Sequence, residues 1–445
     1  MNTNSIRRQI GFWLLPLLCL TMPTISFAAQ SGQMLTLGGI RLEFILFAFT
    51  LLGVALFHHY TMFVSLAGLA AVVASKYVFL DDFSFVHHIM GGEGHEGEWR
   101  IMLNLFGLLS GFAILAKHFD ESHLPKVLPK YLPDDWKGGF VLLVMIFVTS
   151  GFLDNIAAAM IGGAIAFVVF KQRVHIGYLA AIVAASNAGG SGSVVGDTTT
   201  TLMWIDGVSQ LNVLHSYIAA AVSLVIFGVI ASKQQDKYQR IVKDGPKSVQ
   251  VEWKKIYVVG LILLLAVATN YLLDFPALGV WVAILLGALV VKTPWREINH
   301  ALPGTVFLLG LVSCASLMPV DELPPASWVT TFWLGFISAV FDNIPLTKLC
   351  LEQGGYDWGI LAYAVGFGGS MLWFGSSAGV ALSSMYPQAR SAVNWVRQGW
   401  HVPVAYVVGF FVMLAAAGWS PQESYKTEVN SVKEPQISVA ATMEN

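Results

Sequence analysis

Apolar residues in this chain do not alternate with polar ones; they run in long blocks separated by short polar connections. Blocks long enough to span about 30 Å of hydrocarbon fall at 36–57, 61–80, 101–117, 176–204, 212–232, 255–273, 276–292, 302–318, 358–385 and 402–419. Each predicts a transmembrane helix. The stretches 138–170 and 327–353 differ, because each carries a carboxylate and an amide at its centre. They are too long for one span and short for two, which predicts re-entrant hairpins that enter and leave by the same side. Glycine runs inside 176–204 and 358–385 predict helices that break partway.

Charge in the connections orients these elements, since cytoplasmic loops collect Lys and Arg. The segment 233–255 carries seven (Lys233, Lys237, Arg240, Lys243, Lys247, Lys254 and Lys255) and is expected inside. The segment 81–99 has five acids and no Lys or Arg and is expected outside. Lys117, Lys126, Lys130 and Lys137 precede the first hairpin and Lys171 and Arg173 follow it, so both its ends face inward. Asp321 and Glu322 precede the second hairpin and Glu352 and Asp357 follow it, so that one opens outward. Ten spans and two opposed hairpins satisfy every assignment. Charge alone would also accept two full helices in place of each hairpin; segment length favours the hairpin.

Composition agrees. Apolar residues make up 56% of the 445 and charged residues 12%, against about 25% charged in a soluble protein, and the mean hydropathy is +0.65. These values exclude a water-soluble enzyme, a nucleic-acid binder and a disordered protein. The expected partners are the lipid bilayer and small inorganic ions, with no nucleic acid. A net charge of −2 points to no partner, and Cys19, Cys314 and Cys350 have no disulfide or metal-site spacing. Residues 1–28 read as a signal peptide: Arg7 and Arg8, a short apolar core, then Ser26-Phe27-Ala28 at a cleavage site. With that segment removed, both termini are expected in the periplasm of a bacterium, on a multi-pass protein of the inner membrane. Residues 421–445 read as a disordered tail.

The chain repeats itself. Ser150-Gly-Phe-Leu-Asp154-Asn155-Ile156 returns as Ser338-Ala-Val-Phe-Asp342-Asn343-Ile344, and Gly189-Gly190-Ser191 with Gly196 returns as Gly368-Gly369-Ser370 with Gly375. The copies, 34–232 and 256–420, are joined by 233–255. Each holds five spans and one hairpin, and an odd number of crossings inverts the second copy. The expected fold class is therefore an all-α polytopic membrane protein of two inverted repeats, each with one re-entrant hairpin and one interrupted helix. Inverted repeats around a midplane site are typical of secondary transporters.

Ionisable side chains within a span are costly and are candidates for function. Asp154 and Asp342, each beside an amide (Asn155, Asn343) at a hairpin tip, offer hard oxygen ligands suited to Na⁺. Each Asp also suits an N-cap, and the two roles are compatible. In Ser186-Asn187-Ala-Gly189-Gly190-Ser191 through Gly196-Asp197-Thr198-Thr199-Thr200-Thr201, the glycines break the helix and Asp197 starts its second half. The counterpart, Ser370 through Ser376 and Ser377, has no acid. Lys348 is read as a counter-charge to Asp342 or a side chain snorkelling outward, Arg41–Glu43 as an interfacial pair, and Asp206 and Asp274 as interfacial. His87, His88 and His95 are read as part of a solvated loop in preference to a metal site or pH sensor.

At these motifs the chain resembles the NhaD-type sodium/proton antiporters of the ion transporter superfamily, which also holds arsenite, citrate and dicarboxylate carriers. The matching text is Asn187-Ala-Gly-Gly through Asp197-Thr-Thr-Thr-Thr-Leu-Met-Trp204-Ile205, Asp342-Asn-Ile-Pro-Leu-Thr347, and Gly368-Gly-Ser through Gly375-Ser-Ser-Ala-Gly-Val380. The resemblance implies two inverted repeats meeting at one cation site, a dimer as the usual assembly, and exchange of cytoplasmic Na⁺ or Li⁺ for external H⁺ without a resident cofactor. It departs from the family at Gly192 and Val194, where Trp and Pro are usual, at 383–387, which carries no acid, and at Lys348. In the leading reading Na⁺ and H⁺ compete for Asp154, Asp197 and Asp342, with Asn155, Asn187, Asn343, Thr198, Thr199, Ser370, Ser376 and Ser377 as neutral ligands. The alternative is a Na⁺-coupled carrier of citrate or another dicarboxylate, whose site would favour neutral tips; an arsenite-type exporter ranks third. An enzyme would need a nucleophile–base pair or metal cluster, and none is evident in the sequence.

Overall fold

The computed structural model describes residues 35–422 except 38, 58–59, 93–94, 128–130 and 243–249. The signal segment 1–28, all but the first two residues of the tail, and part of the connection 233–255 therefore lie outside the described residues. Among the described residues the first elements are a two-residue antiparallel pair, β1 (Thr36–Leu37) and β2 (Ile40–Arg41), where the sequence predicts that the first apolar block is already helical.

Everything large that follows is helical. The helices are α1 (Leu42–Leu56), α2 (Thr61–Phe79), α3 (Phe85–Met90), α4 (Trp99–Glu121), α5 (Leu124–Val127), α6 (Trp136–Ser150) and α7 (Asn155–Val169). They continue with α8 (Ile176–Gly190), α9 (Thr198–Ile205), α10 (Gln210–Leu214), α11 (Ser216–Tyr238), α12 (Trp253–Leu273) and α13 (Pro276–Ala288). The last are α14 (Arg296–Ala315), α15 (Trp328–Ser338), α16 (Asn343–Gln353), α17 (Trp358–Gly368), α18 (Ser377–Met385), α19 (Ala392–Gln398) and α20 (His401–Ala417).

Among the described residues, five helical stretches are by themselves long and apolar enough to cross a membrane: α2, α4, α10–α11 together, α12 and α14. Their outward faces are apolar: Phe63, Leu264 and Tyr271 are more than half exposed, a surface that lipid accepts and water does not. The protein is a multi-pass membrane protein of all-α class.

The odd segments have their own form. The stretch 138–170 is two helices, α6 and α7, parted at 151–154; 327–353 is α15 and α16, parted at 339–342. The Gly-rich blocks are interrupted as well: α8 stops at Gly190 and α9 starts at Thr198, while α17 stops at Gly368 and α18 starts at Ser377. In each block the N-terminal half is enclosed on all sides. Every residue of α17, and every residue of α8 except Ile176, is buried, as expected of a helix apolar around its whole circumference.

Around these central half-helices stand two groups. One packs α12 on α13, α13 on α4, and both α2 and α4 on α14; the other packs α6 and α8 on α11, and α11 on α20. The second half-helices α9 and α16 lie between, touching each other and, respectively, α4 and α14.

Candidate functional site

Four chain breaks converge at the centre, and glycine lets them meet. A Cβ on Gly189 would lie 2.0 Å from the Phe147 carbonyl oxygen, and one on Gly196 2.1 Å from that of Ser150. The second set behaves alike: a Cβ on Gly368 would lie 2.2 Å from the Gly335 carbonyl oxygen, and one on Gly375 2.4 Å from that of Ala339. One serine completes each junction. Ser150 Oγ donates to the Ser186 carbonyl at 2.5 Å, and Ser338 Oγ donates to the Val365 carbonyl at 2.7 Å.

Acids and hydroxyls start the second halves. Asp154 caps α7, accepting from the Ile156 N–H at 3.2 Å; Asp342 caps α16, accepting from the Ile344 N–H at 3.1 Å. Asp197 Oδ1 caps α9, accepting from both the N–H and the Oγ1 of Thr199 at 2.9 Å. Ser376 takes that place for α18, with the Gly379 N–H at 3.3 Å. Each tip carboxylate then receives a hydroxyl from the neighbouring broken helix: Thr198 Oγ1 to Asp154 Oδ1 at 3.4 Å and Ser377 Oγ to Asp342 Oδ2 at 3.3 Å. The N-cap reading of both tip aspartates therefore holds, as does the placing of Asp197 at the start of the resumed helix.

An amide chain links the two halves. Asn155 Nδ2 donates to Asp197 Oδ2 at 2.9 Å and to Asn187 Oδ1 at 3.0 Å; Asn187 Nδ2 donates to Ser370 Oγ at 2.9 Å and Ser376 Oγ at 3.2 Å. Asn187, Asp197, Ser370 and Ser376 are sealed from solvent. Asn343, the counterpart of Asn155, makes no matching bond: its buried Nδ2 has no hydrogen-bond partner among the described residues. The second broken helix offers a serine where the first offers Asp197, so the carboxylate that would receive Asn343 is missing.

Asp154 and Asp342, with Ser377, line one cavity of about 500 Å³. Its walls are otherwise mostly apolar, from α1, α4, α14 and α18, with Thr61, Ala116 and His300 among the lining residues. Ten of the eleven residues singled out in the sequence thus fall into a cavity-facing pair of carboxylates, each with a hydroxyl, and a sealed network behind them; Asn343, whose amide nitrogen joins neither, is the exception. Thr199 belongs to the network through Asp197.

Other readings need correction. Lys348 does not pair with Asp342 and does not snorkel. Its side chain is fully buried, with Nζ 3.0 Å from Glu98 Oε2, 3.8 Å from Asp206 Oδ1, and in contact with Glu352. Asp206 is buried in that cluster, not interfacial. Asp274, paired with Arg100 at 3.7 Å, is exposed as expected. Glu43 is fully buried, 2.9 Å from Arg41 and 3.9 Å from Lys76. His88 Nε2 lies 2.9 Å from Ser316 Oγ on α14, so this member of the histidine group is docked on the bundle. In the sequence Glu98 is only one acid of an outer loop, and its burial has no local signal.

A family model described as "citrate transporter" matches residues 44–368, the span that contains α6–α7, α15–α16 and the first broken helix. The chain belongs to the citrate transporter family. Named relatives are antiporters. "Sodium/proton antiporter 1" of Arabidopsis thaliana is 29% identical over 300 residues, 56% of this chain and 50% of that protein. "Na(+)/H(+) antiporter NhaD" of Alkalimonas amylolytica is 28% identical over 345 residues, 64% of this chain and 68% of that protein. The protein of the same name from Vibrio cholerae is 26% identical over 300 residues, 54% and 61%. The match spans half the length of the Arabidopsis relative. The likeness to NhaD-type antiporters read from the motifs is thus matched by the comparisons.

Proposed function

We propose that this chain is a secondary transporter that exchanges cytoplasmic Na⁺ or Li⁺ for external protons. The observation that carries the reading is the matched pair of cavity-facing carboxylates, Asp154 with Thr198 and Asp342 with Ser377, backed by a third buried acid, Asp197. A carboxylate, hydroxyls and the free carbonyls of a chain break are hard oxygen ligands for an alkali cation. Non-helical backbone at membrane depth persists only where it lines a cavity or an ion site. In a dry site a carboxylate that loses its cation takes up a proton instead, so one set of acids serves both ions in turn. The names of the relatives support the same exchange.

The paired junctions support two inverted repeats with re-entrant hairpins, 34–232 and 256–420. The Lys-rich connections support an orientation in a bacterial inner membrane with both termini periplasmic and with Thr61, Ala116 and His300 of the cavity wall towards the cytoplasm. A homodimer is the assembly the reading carries, and no resident cofactor is required.

The test uses everted membrane vesicles from cells without their own antiporters. A respiratory pH gradient is followed by acridine fluorescence while Na⁺, Li⁺, K⁺ or citrate is added. Dequenching by Na⁺ or Li⁺ that disappears in Asp154→Asn supports the exchange. Silence towards all cations, with Na⁺-dependent uptake of labelled citrate, would replace it with the anion-carrier reading.

A further inference from the structure

The charged cluster around Lys348 lies away from the carboxylate pair and has no part in the exchange described above. It joins three elements. Lys348 and Glu352 belong to α16, which Asp342 caps; Asp206 follows the last residue of α9, which Asp197 caps; Glu98 precedes the first residue of α4. One ammonium therefore fastens the ends of both site-forming half-helices that point away from the site, and fastens them to a helix of the surrounding bundle.

The placement is what gives this meaning. Ala116, which lines the cavity with Thr61 and His300, also lies on α4, eighteen residues beyond Glu98. At 1.5 Å per residue the separation is about 27 Å, close to the thickness of the hydrocarbon layer. The α4 residues that line the cavity run only from Leu109 to Ala116, so the cluster at Glu98 stands at the other end of that helix. The cluster's cover is thin: Lys348 is fully buried, whereas the side chain of Glu352 is 29% exposed.

A purely stabilising role fits this arrangement badly. Buried ion pairs add little net stability over apolar packing, and three carboxylates around one ammonium are more acid than a paired charge requires. A seal that must part repeatedly is better served by charges, because water that enters on opening resolvates them, whereas parted apolar surfaces gain nothing from it. We infer that Lys348 is a positioning residue, the fastening that holds α9 and α16 against α4 while the carboxylates face the cavity, and that its bonds to Glu98 and Asp206 break when the site turns to the opposite face. The inference rests on the transport reading only in requiring two exposures of the site.

The experiment uses the full chain, purified in detergent, with Ala113→Cys on the α4 wall of the cavity as reporter and the unsubstituted chain as blank. The rate of labelling by a bulky charged maleimide is measured without ion gradients, in the parent and with Glu98→Gln added. Loss of one charge-assisted bond disfavours the cavity-open state and is expected to slow labelling about tenfold. Loosening of the fold would speed labelling, so slowing separates a fastening from a structural prop. An unchanged or faster rate in well-folded Glu98→Gln overturns the inference. Asp206→Asn, which weakens the longer contact, gives the same decision if Glu98→Gln does not fold. Because labelling needs no ion flux, it fails independently of the exchange: antiport with unchanged labelling removes the fastening, and slowed labelling without antiport removes the exchange.

Discussion

Asn155 is the joint between the first hairpin tip and the network behind it, and Asn155→Ala is the sharpest perturbation available. The substitution removes an amide nitrogen that donates to Asp197 Oδ2 at 2.9 Å and to Asn187 Oδ1 at 3.0 Å. Both acceptors are on fully enclosed residues, with Asp197 only 1% exposed. A hydrogen bond to a charged group contributes about 1.5–3 kcal/mol, and a buried acceptor left without a donor costs a similar amount. The Asp197 bond alone then predicts a change of roughly 10- to 150-fold in half-saturating Na⁺. The assay is Na⁺-induced dequenching in everted vesicles, titrated in parent and variant at matched protein level. A half-saturating concentration within twofold of the parent would show that the network does not set the geometry of the carboxylates. The reasoning from buried bonds to ion binding would then be wrong.

Other outcomes follow from the same geometry. Asp154→Asn and Asp342→Asn each keep a side chain able to cap a helix but remove a charge, so antiport in vesicles is expected to be lost while the protein stays in the membrane. Gly189→Ala and Gly368→Ala press a methyl against backbone carbonyls at 2.0 and 2.2 Å. Each should destabilise by about 1–3 kcal/mol or more, read as a lower melting temperature in detergent, whereas Gly260→Ala, with nothing within 4 Å of the new carbon, should not. The proposed exchange has protons and Na⁺ competing for the same carboxylates, so half-saturating Na⁺ should rise as pH falls, by up to about tenfold per unit for one competing proton; a flat profile would separate the two ions' sites.

Much of this site was legible in the sequence because helix breaks announce themselves. Asp-Asn after a long apolar run, and glycine runs followed by Asp-Thr or Ser-Ser, mark chain ends and caps. The structure places α7, α9, α16 and α18 at those starts. Tertiary pairing was not legible. Nothing local says that Asn187 reaches across to Ser370 and Ser376, 183 and 189 residues away, or that Thr198 and Ser377 serve equivalent acids. Lys348 was misread for the same reason: its position six residues after Asp342 suggested a local partner, while its neighbours Glu98 and Asp206 come from 250 and 142 residues earlier. Asp206 near the end of an apolar block looked interfacial, but the helix it ends is a short half-helix enclosed by the bundle.

The most direct measurement is ²²Na⁺ uptake into liposomes holding only this protein, driven by an imposed pH gradient with the interior acidic. The account predicts uptake that depends on the gradient, is competed by Li⁺, and is absent in Asp154→Asn and Asp342→Asn. Uptake that ignores the gradient, or that survives loss of both carboxylates, would contradict it.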